Sequence, residues 1–354
     1  MIHIEETTRY ATALLERLIA VPRVSRSETE AADLLAAEMT TCGIAYQREA
    51  NNLWCLCPDF DEARPTLLLN AHIDTVKPVA SWTRDPYQPQ REGDRLYGLG
   101  SNDCGGGLVS LWSIFRHFIG VSRSYNLIFL ASAEEEVSGA NGISRALPLL
   151  PKIDVALVGE PTGMQPAIAE KGLMVLDLTA HGKSGHAARG EGVNALYKML
   201  DDLLWIRDYR FRRVSDFLGP TLMTATVVNA GTQHNVVPDV CTAIVDVRTN
   251  ELYTNQEVYE WVCQHVTSDC KARSFRLGSS HIERQHPIVK KLDEMGKKPF
   301  GSPTLSDQAL MSFPSLKLGP GESSRSHSAD EYICVSEIAG AIADYATLLT
   351  DLVI

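Results

Sequence analysis

The chain has 354 residues, 44% of them hydrophobic and 22% charged, and a net charge of −11 at pH 7. This length predicts a large core and two domains, and the acidic balance argues against a nucleic-acid partner. No apolar run approaches the roughly 20 residues of a membrane helix, and the N-terminus lacks the basic and apolar regions of an export signal. We therefore expect a cytoplasmic protein without a membrane partner, whose eight scattered cysteines are reduced thiols.

In the first half of the chain, short apolar strands alternate with helices. Helical periodicity runs through residues 7–21, and Ser27-Glu28-Thr29-Glu30 predicts a capping box that opens a second helix ending near Gly43. The pattern further predicts strands over 52–56, 66–73, 126–132 and 154–158, and helices over 105–118 and about 139–149. Such alternation is typical of an α/β fold, in which helices cover both faces of a central sheet.

After Pro166 the pattern changes to the order β-α-β-β-α-β. Helices are predicted over 192–209 and 254–268, and the last of the four strands is predicted near 273–277. This ferredoxin-like order, over about one hundred residues, predicts a small domain at 168–277. It is inserted into a larger domain formed by 1–167 and 278–354, in which the α/β pattern resumes and ends in a long helix over 335–350.

Acidic residues and histidines follow the ends of the predicted strands. TLLLNA runs into His72-Ile73-Asp74, NLIFLASA into Glu134-Glu135-Glu136, and DVALVG into Glu160. Asp103 follows a glycine-rich turn before a helix, and His327 lies in a loop before the last helix. Ligands of an open α/β sheet bind beyond the carboxyl ends of its strands. We therefore expect these side chains to converge on a mixed nitrogen and oxygen site for two metal ions.

Each of these groups also has an ordinary explanation. Three successive glutamates at 134–136 favour a solvated turn when taken alone, the segment at Glu160 could be a simple turn, and His327 could be a surface loop residue. Their recurrence at strand ends favours the metal site, because burying several carboxylates together without cations is very costly. A metal-free binding or scaffold protein on the same fold is the alternative of a different class.

The ordered motifs resemble a known family. In chain order they are AHIDTV, LYGLGSNDCGG, SAEEEVSG, VGEPTG, GKSGHAARGEGVNA, NVVPD with a later DVR, and GPGESSRSHSADEY. Spread over nearly the whole chain, they resemble the dinuclear zinc metallopeptidase and deacylase family that contains acetylornithine deacetylase, succinyl-diaminopimelate desuccinylase, aminoacylase and zinc carboxypeptidases. The resemblance implies a zinc-exopeptidase-like catalytic domain, with a central mixed sheet flanked by helices, and an inserted ferredoxin-like domain that serves as a lid and in dimerisation.

The resemblance also implies roles for individual residues. Two zinc ions per chain, for which cobalt could substitute, would be bound by His72, Asp103, Glu136, Glu160 and His327. Asp103 would bridge the two ions. Asp74 would orient His72 by accepting its other ring N–H, and Glu135 would be the general base that takes a proton from the attacking water.

In the inserted domain, the resemblance implies that His186 reaches the active site of the neighbouring subunit and stabilises the oxyanion there. Asn235 and Arg248 would bind the substrate, the guanidinium suiting a carboxylate. The ordinary alternatives are a loop histidine for His186 and a strand-surface salt bridge for Arg248. The chain departs from the family where Asp-x-Lys-Gly is usual, since Asp103-Cys104-Gly105-Gly106 lacks the lysine, and Glu134-Glu135-Glu136 replaces Asp-Glu-Glu.

Together these features imply hydrolysis of the amide bond of an N-acyl amino acid by a cytoplasmic homodimer. Within the family, the chain looks most like the acetylornithine deacetylase branch of arginine biosynthesis, with N-acetyl or N-succinyl forms of ornithine or citrulline as substrates. Succinyl-diaminopimelate desuccinylase, or a zinc dipeptidase or carboxypeptidase, are the alternatives. The substrates of these activities differ in the second charged group that they carry, and no sequence feature decides among them.

Overall fold

The computed structural model describes residues 2–354 and divides into two units. The first unit contains the described residues up to Ile168 together with Ile282–Phe300 and Ser306–Ile354. The second contains Ala169–His281 and Gly301–Leu305. The second unit therefore begins one residue after the predicted boundary and extends four residues beyond the predicted end at 277, with a short additional segment.

The helices and strands alternate along most of the chain. The α-helices of the described residues are Ile4–Ile19 (α1), Thr29–Thr41 (α2), Gly106–Phe118 (α3), Ile143–Ala146 (α4), Ala195–Asp208 (α5), Asn255–His265 (α6), Pro287–Glu294 (α7) and Val335–Leu349 (α8). The strands are Gln47–Glu49 (β1), Asn52–Leu56 (β2), Thr66–His72 (β3), Gln90–Glu92 (β4), Arg95–Tyr97 (β5), Asn126–Ser132 (β6), Val155–Val158 (β7), Ala167–Glu170 (β8), Met174–His181 (β9), Leu222–Ala230 (β10), Val240–Arg248 (β11), Asp269–Ala272 (β12), Ser280–His281 (β13), Phe300–Ser302 (β14), Ser315–Lys317 (β15) and Tyr332–Cys334 (β16).

The first unit is built on a mixed central sheet whose strand order is β1-β2-β6-β3-β7-β15-β8. The pairs β6–β3, β3–β7 and β7–β15 are parallel, whereas β2 and β8 pair antiparallel with their neighbours. Every residue of β3 and β6 is buried. Near-continuous apolar runs of this kind are expected where helices or loops cover a sheet on both faces.

Both faces of this sheet carry apolar cores. Helix α3 is buried almost all round, and its Trp112 packs on Phe129 of β6 with ring centroids 5.2 Å apart. Helices α1 and α8 pack against α3 on the same face. The residues buried on the opposite face include Leu68, Ile128 and Leu130 from the sheet and Ile143 from α4. The alternation of side chains along each strand assigns successive residues to these two cores.

The parallel pairing brings the carboxyl ends of three strands to one edge. His72, the last residue of β3, pairs with Ser132, the last residue of β6. On the other side of β3, Asn70 pairs with Val158, which ends β7. The loops that follow these strands therefore start side by side, although they are far apart in sequence.

The second unit has the order β-α-β-β-α-β, as an antiparallel sheet with strand order β10-β11-β9-β12. Alternate residues of β9, among them Met174, Leu176 and Leu178, point into a core that also contains Met199 of α5 and Val258 of α6. The side chains of β9 that point to the opposite face, those of Val175, Asp177 and Thr179, are only partly buried. This is the pattern of a two-layer α+β unit with helices on one face of the sheet.

Two local predictions were wrong. The second helix begins at Thr29 after Glu28, and no side chain caps it, so the predicted capping box at 27–30 does not form. The last strand of the four-stranded sheet in the second unit is Asp269–Ala272 rather than 273–277. Its register follows from pairing with β9, which puts the half-buried Cys270 and Ala272 against the core. Among the described residues, no helix is both long and apolar enough to cross a membrane.

Candidate metal centre

His72 lies at the end of β3, where the strand leaves the sheet. Its side chain is 1% exposed, and its Nε2 lies 3.2 Å from Oδ1 of Asp103 and 3.7 Å from Oε1 of Glu160. The Cys104 Sγ, the Glu160 carboxylate and a ring nitrogen of His72 also lie within 4.8 Å of one another. The imidazole therefore faces two carboxylates that belong to different loops.

A second imidazole faces the same aspartate from the other side. His327 adopts a positive φ of 58°, and its Nε2 lies 2.9 Å from Oε2 of Glu136 and 3.6 Å from Oδ2 of Asp103. Oδ1 of Asp103 is turned to His72, and Oδ2 is turned to His327. Asp103 thus lies between the two histidines, one carboxylate oxygen toward each.

The turn that carries Asp103 is held by a buried glutamate, Glu331. Its carboxylate accepts the main-chain N–H groups of Gly100, Asn102 and Asp103 at 3.1, 2.8 and 2.9 Å. Gly100 has a φ of 72°, a conformation that favours glycine, and the peptide between Asp103 and Cys104 is cis. Burial raises the pKa of Glu331 to about 7, with a further contribution from Asp103.

The three successive glutamates after β6 have different surroundings. Glu134 is buried, and its two carboxylate oxygens accept the main-chain and side-chain N–H groups of Asn141. The carboxylates of Glu135 and Glu136 turn toward the histidines, with Oε2 of Glu135 at 3.9 Å from Nε2 of His72. The segment is therefore not the solvated turn that three glutamates alone suggest.

Asp74 links the loop after β3 to the loop after β6. Its carboxylate accepts the main-chain N–H groups of Glu135 and Glu136 at 3.1 and 3.2 Å, and the hydroxyl of Ser25 at 2.6 Å. The Nδ1 of His72 lies 3.0 Å from the main-chain oxygen of Asp74 and 3.6 Å from its carboxylate. The main-chain oxygen is thus the nearer partner of the imidazole, and the carboxylate holds the glutamate loop.

Glu160 follows β7 and provides the clearest sign that the centre fits a cation. Its side chain is 12% exposed, and its buried Oε1 has no hydrogen-bond partner. Burial and the nearby Asp103 raise the pKa of Glu160 to about 8, against a usual value of 4.5. Buried carboxylates without donors are costly, and oxygen and imidazole donors are those that zinc accepts. The residues present therefore fit divalent metal ions.

The pKa values of the two histidines also indicate a site that attracts cations. Burial lowers the pKa of His72, but the Cys104 thiol and the Asp103 and Asp74 carboxylates outweigh it and raise the pKa well above 6.5. The hydrogen bond to Glu136 raises the pKa of His327 to about 9. Without a metal ion, protons balance the negative charge of the cluster. Metal binding at such a site releases protons, because imidazole binds a metal in its neutral form.

Several residues of this centre were not predicted from the sequence. Glu331 lies within the last motif, but only its neighbour His327 was singled out there. Asp307 is buried and accepts the Ser132 hydroxyl at 2.5 Å, and burial raises its pKa to about 6. No local pattern marks it. Arg23 is likewise buried beside these acids and has no motif around it.

The other three predicted site residues lie in the second unit. His186 is exposed and its Nδ1 accepts the main-chain N–H of Ala188. Asn235 is adjacent, since its main-chain oxygen accepts the N–H of Ala187 at 3.0 Å. Arg248 ends β11 and pairs with Asp246 at 2.8 Å. Because β11 begins at Val240 beside the end of β9, Arg248 and His186 lie at opposite ends of this sheet.

The comparison with protein families agrees with this arrangement. The model of peptidase family M20/M25/M40 matches residues 68–351, which contain the whole set of candidate metal ligands. The chain belongs to peptidase family M20. This membership accounts for the α/β fold with a mixed central sheet and places the chain in a family of metal-dependent hydrolases.

Named M20 relatives have low identity to this chain. It is 27% identical to an acetylornithine deacetylase of Edwardsiella ictaluri, over 96% of each chain. It is also 27% identical to a succinyl-diaminopimelate desuccinylase of Wolbachia pipientis, over 73% of this chain and 70% of that protein. The YXEP protein of Bacillus subtilis, a dinuclear metal-binding M20 peptidase, superposes with a TM-score of 0.72 at 15% identity over 98% of each chain.

Proposed function

We propose that this chain hydrolyses the amide bond of an N-acyl amino acid with two bound metal ions. The observation that carries the proposal is the position of Asp103 between two histidines. Glu135 lies beside His72 but is not needed as a metal ligand, so it is available as a base. His72, Asp103 and Glu160 would hold one ion, and Asp103, Glu136 and His327 the other. Zinc suits these nitrogen and oxygen donors, and cobalt would be a working substitute.

When bound, divalent ions supply an activated water and polarise the amide carbonyl. The protein residue that would move the proton is Glu135. Burial and the neighbouring carboxylates of Glu160, Asp307 and Glu136 raise the pKa of Glu135 above its usual value, against the effect of His72. A general base with a raised pKa works near neutral pH. Glu135 would accept a proton from the attacking water and return it to the nitrogen of the leaving amine.

The proposed substrates are N-acetyl or N-succinyl forms of ornithine or citrulline, as expected for the acetylornithine deacetylase branch of arginine biosynthesis in the cytoplasm. The name of the Edwardsiella relative supports this choice. Succinyl-diaminopimelate desuccinylation is the second candidate, because the Wolbachia relative carries that name at the same identity. Peptide hydrolysis by a dipeptidase or carboxypeptidase is the third, in view of the M20 peptidase fold.

We further propose that the active unit is a homodimer formed through the second unit. Helix α5 exposes an apolar stripe of Leu196, Tyr197, Leu200 and Leu204, and the neighbouring β10 is an edge strand with exposed Leu222, Val227 and Val228. An apolar patch beside an unpaired strand edge is a surface that soluble proteins cover.

The placement of His186 and Arg248 supports roles in two different active sites. Eight residue steps of β11 separate the two ends of the sheet, about 26 Å at roughly 3.3 Å per residue. A small N-acyl amino acid cannot span this distance. His186 with Asn235 would therefore serve the site of one subunit while Arg248 serves the site of the other, with its guanidinium exchanging Asp246 for a substrate carboxylate.

The proposal is tested by metal analysis and a release assay on the purified chain. Amine release is followed from N-acetyl and N-succinyl forms of ornithine, citrulline and diaminopimelate, and from simple dipeptides. We expect two divalent ions per chain and turnover of at least one N-acyl amino acid. Less than one tightly bound ion, with no hydrolysis after zinc or cobalt is added, would favour a metal-free binding protein. Turnover confined to dipeptides would move the function to the peptidase alternative.

A further inference from the structure

A single arginine, Arg23, is buried beneath the metal centre. It follows α1, its side chain is among the largest that are fully buried, and the residue is 1% exposed. Its Nη1 donates to the main-chain oxygen of Ile73, and its Nη2 donates to that of Gly100, both at 2.8 Å. A buried guanidinium of this kind is rare unless it is paired.

The two acceptors belong to two separate segments that each present a candidate ligand. Ile73 lies between His72 and Asp74 in the loop after β3. Gly100 opens the turn that presents Asp103. The main chain of Arg23 adds a third link, since its oxygen accepts the N–H of Thr75 at 2.9 Å. Arg23 thus ties together two loops that the central sheet itself does not connect.

Acidic groups surround the guanidinium. Burial lowers the pKa of Arg23, while the Cys104 thiol and the carboxylates of Glu331, Asp74 and Asp103 act in the opposite direction. The hydrogen bonds of the guanidinium go to main-chain oxygens, so the carboxylates act on it through the electric field rather than by direct contact. In a water-poor interior, a fixed cation near several carboxylates offsets part of their mutual repulsion.

Glycines make room for this side chain. A Cβ at Gly100 would lie 2.6 Å from Nη2 of Arg23, and a Cβ at Gly105 would lie 3.2 Å from the same atom. Position 105 is where the family resemblance leads us to expect a lysine. A Cβ there would also lie 2.3 Å from the main-chain oxygen of Gly100. The space beside residue 105 is thus occupied by the Arg23 guanidinium and by the turn that it holds.

We propose that Arg23 is a positioning residue that supplies a permanent positive charge at the metal centre, in place of a lysine at position 105. It sets the affinity for metal by fixing the His72 loop against the Asp103 turn. The inference rests on the proposed function only in that the centre binds metal ions; it is independent of the substrate.

The test measures metal affinity directly, by competition of zinc and cobalt with a chromophoric chelator, together with the visible spectrum of the cobalt-loaded protein. For Arg23→Met we expect an affinity about 10- to 100-fold lower, the usual effect of removing a group that positions metal ligands, and an altered cobalt spectrum. Arg23→Lys keeps the charge and the N–H donors but lacks the planar fork of the guanidinium, so its loss should be smaller than that of Arg23→Met. The proposal is overturned if folded Arg23→Met binds metal as tightly as wild type.

Arg123 provides a matched control. Its side chain is 3% exposed, and its guanidinium donates to the main-chain oxygens of Phe118 and Val121 and pairs with Asp59 at 2.5 Å. It lies near the start of β6 and away from the centre. Arg123→Met should lower the unfolding free energy but leave the metal affinity and the cobalt spectrum unchanged; an equal loss of affinity would make Arg23 merely structural. If Arg23→Met does not fold, Arg23→Gln takes its place: this variant keeps an N–H donor but lacks the charge, and wild-type metal affinity in it overturns the proposal. A wild-type chain that binds no metal would instead overturn the proposed function.

Discussion

The Asp74 carboxylate and the main-chain N–H of Glu135 are joined by a hydrogen bond of 3.1 Å across 61 residues of sequence. A second bond, to the N–H of Glu136, anchors the same carboxylate at 3.2 Å. Asp74 therefore determines where the candidate base lies relative to the His72 imidazole. The family resemblance implies that the Asp74 carboxylate orients His72. In the structure this carboxylate holds the loop carrying the candidate base, and the main-chain oxygen of Asp74 lies nearer to the imidazole.

Replacement of Asp74 by asparagine should disturb both loops. An amide has one acceptor oxygen and no charge, so at least one of the two N–H groups loses its acceptor. We expect the metal affinity to fall about 10- to 100-fold and turnover to fall with it. Asp154→Asn is the control, because Asp154 accepts the N–H of Thr66 at the opposite end of β3. Equal metal affinity in the two variants would contradict this role of Asp74.

Replacement of Glu135 by glutamine should separate metal binding from proton transfer. The amide keeps the shape of the side chain but cannot accept the proton, so kcat should fall by about 100-fold or more, while metal content stays at the wild-type level. Glu134→Gln is the neighbouring control. Glu134 is bound to Asn141, so its variant should lose stability and keep most of its turnover. Full activity of Glu135→Gln would remove it as the general base.

The metal-free protein should lose stability as the pH rises from about 5 to about 8. In the folded chain the pKa of Glu331 is about 7 and that of Glu160 about 8, against 4.5 when unfolded. Over this window the folded state binds more protons than the unfolded state, so the free energy of unfolding falls as pH rises. Each proton that the folded state binds and the unfolded state does not lowers the free energy of unfolding by about 1.4 kcal/mol per pH unit.

This pH dependence is measured by urea unfolding of chelator-treated protein at several pH values. Glu160→Gln should flatten the slope, since the amide does not titrate. Saturation with zinc should also flatten it, because bound metal replaces the protons. A metal-free chain whose stability rises from pH 5 to pH 8 would show that the buried acids are ionised without a cation.

The apolar stripe of α5 should be needed for dimer formation. Leu200 is 50% exposed on this helix, and Leu200→Asp would place a charge inside the proposed interface. We expect dimer affinity to fall about tenfold or more, which corresponds to roughly 1.4 kcal/mol; residues at the centre of an interface commonly cost more than about 1 kcal/mol when they are replaced. Leu149→Asp is the control, with a similar exposure of 53% in the first unit. Sedimentation velocity over a range of concentrations distinguishes the two.

Sequence patterns predict a residue well where a local signal accompanies it. His72, Glu160 and the glutamates at 134–136 each follow a buried strand, and the parallel sheet then brings them to one edge. Arg23 had no such signal, because its acceptors lie 50 and 77 residues away. Asp307 and Glu331 likewise act on partners 175 and 228 to 231 residues away. Tertiary contacts alone place these groups.

The same reasoning applies to the secondary structure. The long apolar strands β3 and β6 and the helices α3 and α8 were predicted close to their observed bounds, because burial imposes a clear period. The three-residue strands β4, β5 and β16 were missed, since three residues are too few to show alternation. The strand predicted at 273–277 was misplaced for a different reason. Pairing with β9, rather than local composition, decides where β12 begins and ends.

The order of segments in the chain has a consequence for biosynthesis. Strand β15 lies between β7 and β8 in the central sheet, yet a ribosome makes it only after the whole second unit. His327 and α8, which packs on α1 and α3, emerge later still. Domains tend to fold as they are synthesised, so the second unit can mature while the first still lacks an interior strand, an outer helix and one candidate ligand. The metal centre can be completed only after His327 has been synthesised, and the central sheet lacks its interior strand β15 until the second unit has been made.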